Sequence, residues 1–160
     1  MEIAVQMGEI QVTRAPNILK AVGIGSCIVL TLYDGTNRIG GLAHILLPSI
    51  SYSTDMSYPS RFADYAVGAL IDRMRSFGAD VDSLDARIFG GANMFPDAVC
   101  PDSNLDIGKK NLHAVLNELK NAGIAVVAES VGGSTGRTVV FDTGEGSVSV
   151  RETPLVRMDY

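Results

Sequence analysis

The chain has 160 residues, a formal net charge of −5, and 46% hydrophobic against 19% charged residues. One domain fits that length, and the apolar content rules out disorder as the main state. The acidic balance argues against a basic groove for nucleic acid, because phosphate binding needs clustered Lys and Arg. Cys27 and Cys100 are too few for a secreted disulfide framework. A zinc site of four Cys or His ligands would have to use both of them with His44 and His113, at spacings no zinc motif shows. The expectation is a single domain over residues 1–160 with no metal and no cofactor.

The start, Met1 to Glu9, has an early acid and no basic region ahead of a long apolar core. The most apolar stretch, Ile39 to Leu47, is too short to cross a bilayer. A cytoplasmic setting with free thiols and no membrane insertion is therefore expected.

In chain order, Glu9 to Thr13 alternates polar and apolar like a half-buried strand, and Ala15-Pro16-Asn17 breaks it. Leu19 to Val22 is a second apolar piece. Cys27 to Tyr33 is β-branched and apolar, the pattern of a buried strand. Asp34-Gly35-Thr36-Asn37 is a turn, and Arg38 to Leu47 the returning strand. Ser49 to Ser60 is a polar loop of the kind that often serves as a lid. Phe62, Ala66, Ala69, Leu70, Met74 and Phe77 recur at helical spacing, with Gly78 as the stop. A strand over Leu84 to Phe89 leads to Gly90-Gly91, and Asn93 to Asp106 is irregular. Asp106 is the candidate cap of a second amphipathic helix carrying Leu112, Val115, Leu116, Leu119 and Ala122, and Gly123 ends it. Ile124 to Ala128 is a strand, and Thr138 to Phe141 with Ser147 to Val150 a hairpin. Strands, then helix–strand–helix, then strands again describe an α+β fold.

The central hairpin brings two reactive residue types together. If its loop is Asp34 to Asn37, Tyr33 pairs with Arg38, and counting back along both strands sets Cys27 directly opposite His44, with Cβ atoms ~4.5–5.5 Å apart. If the turn is only Asp34-Gly35, Cys27 pairs with Leu42 and His44 lies on a diagonal of roughly 7–8 Å, still on the same face. Only an odd loop would separate the faces. A thiol beside an imidazole can lose its proton to it, leaving a thiolate–imidazolium pair, and the imidazolium can then protonate a leaving amine. Gly23-Ile24-Gly25-Ser26 precedes the cysteine, so N–H groups near Gly25 and Ser26 could form an oxyanion hole. Singly, an apolar-flanked cysteine is commonly an inert small hydrophobe, and a histidine in an apolar run a satisfied core residue. The shared face is what points to chemistry. Cys100 and His113 have no patterned partner and read as bystanders.

Gly23-Ile24-Gly25-Ser26-Cys27 followed by Gly41-Leu42-Ala43-His44-Ile45-Leu46-Leu47-Pro48 resembles the chemoreceptor glutamine deamidase family, CheD. Phe62-Ala63-Asp64-Tyr65-Ala66, Gly90-Gly91-Ala92-Asn93-Met94-Phe95, Ile107-Gly108-Lys109-Lys110-Asn111, Gly132-Gly133 and Gly136-Arg137 follow in family order. The resemblance implies a β-sandwich-like core of mixed and antiparallel strands with two main flanking helices, similar to the cysteine hydrolase fold of cytotoxic necrotizing factor toxins. It implies a protein-glutamine deamidase that converts glutamine side chains of methyl-accepting chemotaxis receptors to glutamate. It implies Cys27 as nucleophile, His44 as base and then acid, and a CheC-type phosphatase as partner. A threonine that orients the histidine in the family falls at Ala21 here, so Thr31 or a backbone carbonyl would have to take that part. The altered position leaves a second reading, an adaptor that binds CheC or receptors with weak or no catalysis. Asn93 reads either as a donor to the oxyanion or substrate amide, or as a turn residue. Arg137 reads either as a guide for acidic receptor helices or as one half of a surface ion pair.

Overall fold

The computed structural model describes residues 1–94 and 106–153, and the strands among them form two mixed sheets. One has four strands in the order β1 (Glu2–Ala4), β3 (Ile18–Ile24), β8 (Gly136–Asp142), β9 (Ser147–Thr153). The other has five, in the order β2 (Ile10–Arg14), β5 (Ile39–Ile45), β4 (Ile28–Asp34), β6 (Leu84–Gly90), β7 (Val126–Val131). Two helices, α1 (Ala63–Phe77) and α2 (Ile107–Ala122), complete the α+β arrangement. Strand alternation sorts the apolar residues into two cores. Leu19, Ala21 and Ile24 of β3, Val139 and Phe141 of β8, Val29 of β4 and Leu42 of β5 pack between the sheets. Ile28, Leu30 and Leu32 of β4 and Ala43 and Ile45 of β5 point the other way, against Val67, Leu70 and Met74 of α1 and Val115 and Leu119 of α2.

Both helices end as their sequences require. Gly78 and Gly123 are left-handed and return their N–H groups to carbonyls of the last turn, and the Asp106 side chain accepts from the Lys109 N–H at 3.0 Å to cap α2.

Four details differ from the sequence reading. The N-terminal residues form the short strand β1, parallel to β3, through pairs such as Ile3 with Leu19. The strand after α2 runs Val126–Val131, later than expected, because it pairs in parallel with β6 after the crossover. The 49–60 segment is not structureless. Short 3-10 turns at Ile50–Tyr52 and Pro59–Arg61 hold it, and Asp64 of α1 accepts from the Ser49 hydroxyl at 2.9 Å. The central hairpin pairs Asp34 with Ile39, so its loop is Gly35 to Arg38 rather than Asp34 to Asn37 or Asp34-Gly35. Cys100 and Phe95 lie outside the described residues.

The shifted loop has a physical cause. The Asp34 side chain, fully buried, accepts from Thr36 N at 3.1 Å, Asn37 N at 3.2 Å, Asn37 Nδ2 at 2.7 Å and Asp80 N at 2.8 Å. The residue therefore stays in the strand while its carboxylate organises the turn beyond it and ties that turn to the segment before β6. Burial by itself pushes this carboxyl up, but the four N–H donors favour the charged form and hold it below the usual carboxylate value. Its contribution to stability is therefore in place at neutral pH and is lost as pH falls through the folded-state value. Asp34→Ala should cost about 2–4 kcal/mol in urea unfolding at pH 7, since it strands several buried donors, and the difference from wild type should shrink on acidification.

Candidate active site

Cys27 lies one residue before the paired run of β4, after the bend that ends β3. It is a free thiol, half-buried, and packs against the inter-sheet core. His44 is opposite Val29 in β5 and 2% exposed. The two therefore do share a face, but they are not directly opposed as the longer of the expected loops would have placed them. Cys27 is offset from His44 along the strand, a diagonal of roughly 7–8 Å in regular antiparallel pairing.

The imidazole is held from its Nδ1 side, which lies 3.3 Å from the Val5 carbonyl oxygen. A carbonyl only accepts, so the hydrogen bond requires the N–H on Nδ1 and leaves Nε2 as a bare acceptor. Nε2 is buried and has no hydrogen-bond partner. Of the two substitutes considered for the missing threonine, the backbone carbonyl is the one in contact. Thr31 pairs with Leu42 and makes no hydrogen bond to the ring, and Ala21 is an apolar member of the inter-sheet core. Beside His44 a cavity of about 360 Å³ opens between the N-terminal segment and β3, lined by Val5, Gln6, Met7, Lys20, Val22 and Gly23 among others.

Burial disfavours charge on both groups. It pushes the Cys27 thiol up, partly offset by the residue's own backbone N–H, which faces the sulfur. It pushes His44 down, partly offset by the Val5 carbonyl and the nearby Glu9 carboxylate. Both shifts favour the uncharged forms, a thiol and a neutral imidazole, over a thiolate–imidazolium pair.

The loop carrying the cysteine is clamped at three successive carbonyls. Gly25 O accepts from Ala92 N at 3.0 Å, Ser26 O from Asn111 Nδ2 at 2.9 Å, and Cys27 O from Gly91 N at 2.9 Å. The glycines at the end of β6 allow this approach. Gly90 has φ +107°, and a Cβ there would overlap the Cys27 carbonyl oxygen. Gly108 lets the first turn of α2 come equally close, because a Cβ there would lie 2.6 Å from the Gly91 carbonyl carbon. Asn93 follows directly, its N–H donating to Gly133 O at 2.8 Å.

Arg137 does form an ion pair, but from inside the fold rather than on the surface. It is buried, donating from Nη1 to Gly90 O at 3.2 Å and from Nη2 to Gly132 O at 2.8 Å, and its Nε lies 4.0 Å from Glu152. It braces the Gly90 turn rather than facing a partner. His113 sits on the exposed side of α2, on the helical side of the five-stranded sheet. Sequence reasoning missed Val5 and Asn111. Nothing in the sequence marks Val5, because its role rests on a backbone atom. Asn111 did leave a signal: it shares the buried stripe of α2 with Val115 and Leu119, where an amide must have partners. Among the described residues no cluster of three or more His, Cys, Asp or Glu could hold a metal ion, and no helix is long and apolar enough to cross a membrane.

A family model described as CheD chemotactic sensory transduction matches residues 46–152. A Thermococcus kodakarensis protein named probable chemoreceptor glutamine deamidase CheD is 40% identical over 152 residues, covering 95% of this chain and 93% of its own length. A protein of the same name from Clostridium botulinum strain Hall is 40% identical over 154 residues, covering 96% of this chain and 94% of its own. The family model begins after Cys27 and His44, whereas these relatives extend over nearly the whole chain.

The ring geometry makes a prediction independent of any substrate. Nitrogen NMR of histidine-labelled protein at neutral pH should show His44 as the Nδ1–H tautomer, titrating below the ordinary histidine value of 6.5. An Nε2–H tautomer would break the assignment of Nε2 as the open base.

Proposed function

The chain belongs to the CheD family, and on that premise we propose that it is a protein-glutamine deamidase, acting on glutamine side chains of methyl-accepting chemotaxis receptors with Cys27 as nucleophile. The observation that carries this reading is the free Cys27 thiol on the sheet face it shares with His44, whose Nε2 is buried and unpartnered. As substrate enters, Nε2 takes the thiol proton and sulfur attacks the carboxamide carbon, forming a C–S bond and a tetrahedral oxyanion. The imidazolium returns the proton to the departing nitrogen, the C–N bond breaks, and ammonia leaves a thioester. Water, deprotonated by Nε2, attacks that thioester. The C–S bond breaks, giving glutamate and the free thiol.

The same loop supports the oxyanion. A trans peptide points its N–H away from its carbonyl, so tying down Gly25 O and Ser26 O turns the Ser26 and Cys27 N–H groups the other way. Neither donates to another residue among the described ones, which leaves them for the substrate oxygen. Asn93, next to the Ala92 that holds Gly25, is our candidate for a contact to the substrate amide. The two-sheet core fits kinship with the catalytic fold of cytotoxic necrotizing factor toxins, and a CheC-type phosphatase is the proposed regulatory partner, in a cytoplasmic setting. Ala21 favours one other reading, an adaptor with weak or no catalysis. The Val5 contact to Nδ1 argues against it, since the ring has an orienting group without a threonine.

Ammonia release from receptor cytoplasmic fragments separates the two. Wild type should release it, Cys27→Ala should be at background, and His44→Ala should be slower by ~10²–10⁴-fold. Silence from wild type, with retained binding to the fragments, would establish the adaptor instead.

A further inference from the structure

Asn111 is an amide in the first turns of α2 that no hydrophobic requirement explains. It is fully buried, on the face α2 turns to the sheet. Its Nδ2 donates to Ser26 O at 2.9 Å and to Leu46 O at 2.8 Å, using both hydrogens. Its Oδ1 is buried with no partner. The two neighbours are carbonyls and can only accept, so the amide cannot turn over to satisfy that oxygen. A buried acceptor left unpaired is costly, and the fold carries it in order to place one N–H₂ group between two particular carbonyls.

Those carbonyls belong to the two arms of the site. Ser26 precedes Cys27, and Leu46 follows His44 at the end of β5. Asn111 therefore joins the cysteine loop to the histidine strand from the helical side of the sheet. Because the Ser26–Cys27 peptide is planar and trans, fixing its oxygen toward α2 fixes the Cys27 N–H toward the opposite side. That is the side of the thiol, whose sulfur this N–H faces. Gly108 supplies the room for α2 to come close enough, since its Cα packs on the Gly91 and Ala92 backbone.

We propose that Asn111 is a positioning residue for acyl transfer at Cys27: by clamping the Ser26 carbonyl it aims the Cys27 N–H at the oxyanion. The inference rests on Cys27 being the nucleophile of the proposed reaction, and it names a part of that machinery which Cys27 and His44 alone do not supply.

Two small reagents test it without any receptor. Acetylation by p-nitrophenyl acetate passes through a tetrahedral oxyanion: sulfur bonds to the acetyl carbon, nitrophenolate leaves with the ester electron pair, and the thiol proton goes to His44 or solvent. Alkylation by iodoacetamide displaces iodide with no oxyanion at all. In Asn111→Leu, which keeps the packing volume, the acetylation rate at Cys27 should fall by about 100-fold, the scale of losing one oxyanion donor, while alkylation stays within about threefold of wild type. Asn111→Ser, smaller and with one donor, should recover part of the acetylation rate and serves as the second variant if leucine prevents folding. Equal acetylation in the folded variants and wild type overturns the positioning role. So does a parallel loss in both reactions, which marks general loosening of the fold. Receptor fragments assayed alongside separate the two ideas. Ammonia release by wild type with unimpaired acetylation in the variants sinks only the role of Asn111. No ammonia release with selective acetylation loss sinks only the deamidase reading. Where fragments are turned over, Asn111→Leu should lower kcat with KM little changed.

Discussion

The pairing of β4 with β5 is the constraint on which the site depends. Side chains alternate along a strand with a period of two, so a loop of even length keeps the two strands in step. Gly35 to Arg38 is such a loop, and it puts the thiol-bearing end of β4 and the imidazole of β5 on the face between the sheets. On the other face the same strands carry Ile28, Leu30, Leu32, Ala43 and Ile45 against the helices, so a slip by one residue would turn Thr31 and His44 toward the helices and drive this apolar set into the inter-sheet face. The packing that holds the fold together therefore also fixes which face the site occupies.

Around that hairpin the chain relies largely on backbone groups. The imidazole is steadied by the Val5 carbonyl, brought in by a short strand at the sheet edge. The cysteine loop is held by the Ala92 and Gly91 N–H groups and by one amide from α2. Arg137 spends its guanidinium on the Gly90 and Gly132 carbonyls. Burial pushes the Cys27 thiol up and the His44 imidazole down, so it favours the uncharged form of each.

Much of this was legible in the residues, and the boundary is instructive. Helices with capping Asp106 and stopping Gly78 and Gly123 follow from spacing and cap chemistry. That Cys27 and His44 share a face follows from loop parity, which survives an error in loop position. The register itself did not follow, because Asp34 reads as a turn residue by type. Only the fold reveals that its carboxylate also takes the Asp80 N–H, from a segment remote in sequence, and stays in the strand. Val5 was invisible because any residue supplies a carbonyl. Arg137 misled because arginine is usually a surface residue, and nothing local shows the two glycine carbonyls that would enclose it.

Capture of the acyl-enzyme tests the central claim most directly, that the face shared by Cys27 and His44 is where covalent chemistry happens. A receptor fragment mixed with the protein, acid-quenched within one turnover and digested, should yield a thioester-linked species on the peptide containing Cys27, at the summed mass less one ammonia. A thioester on the Cys100 peptide, or ammonia released with no cysteine adduct at any quench time, would contradict the account.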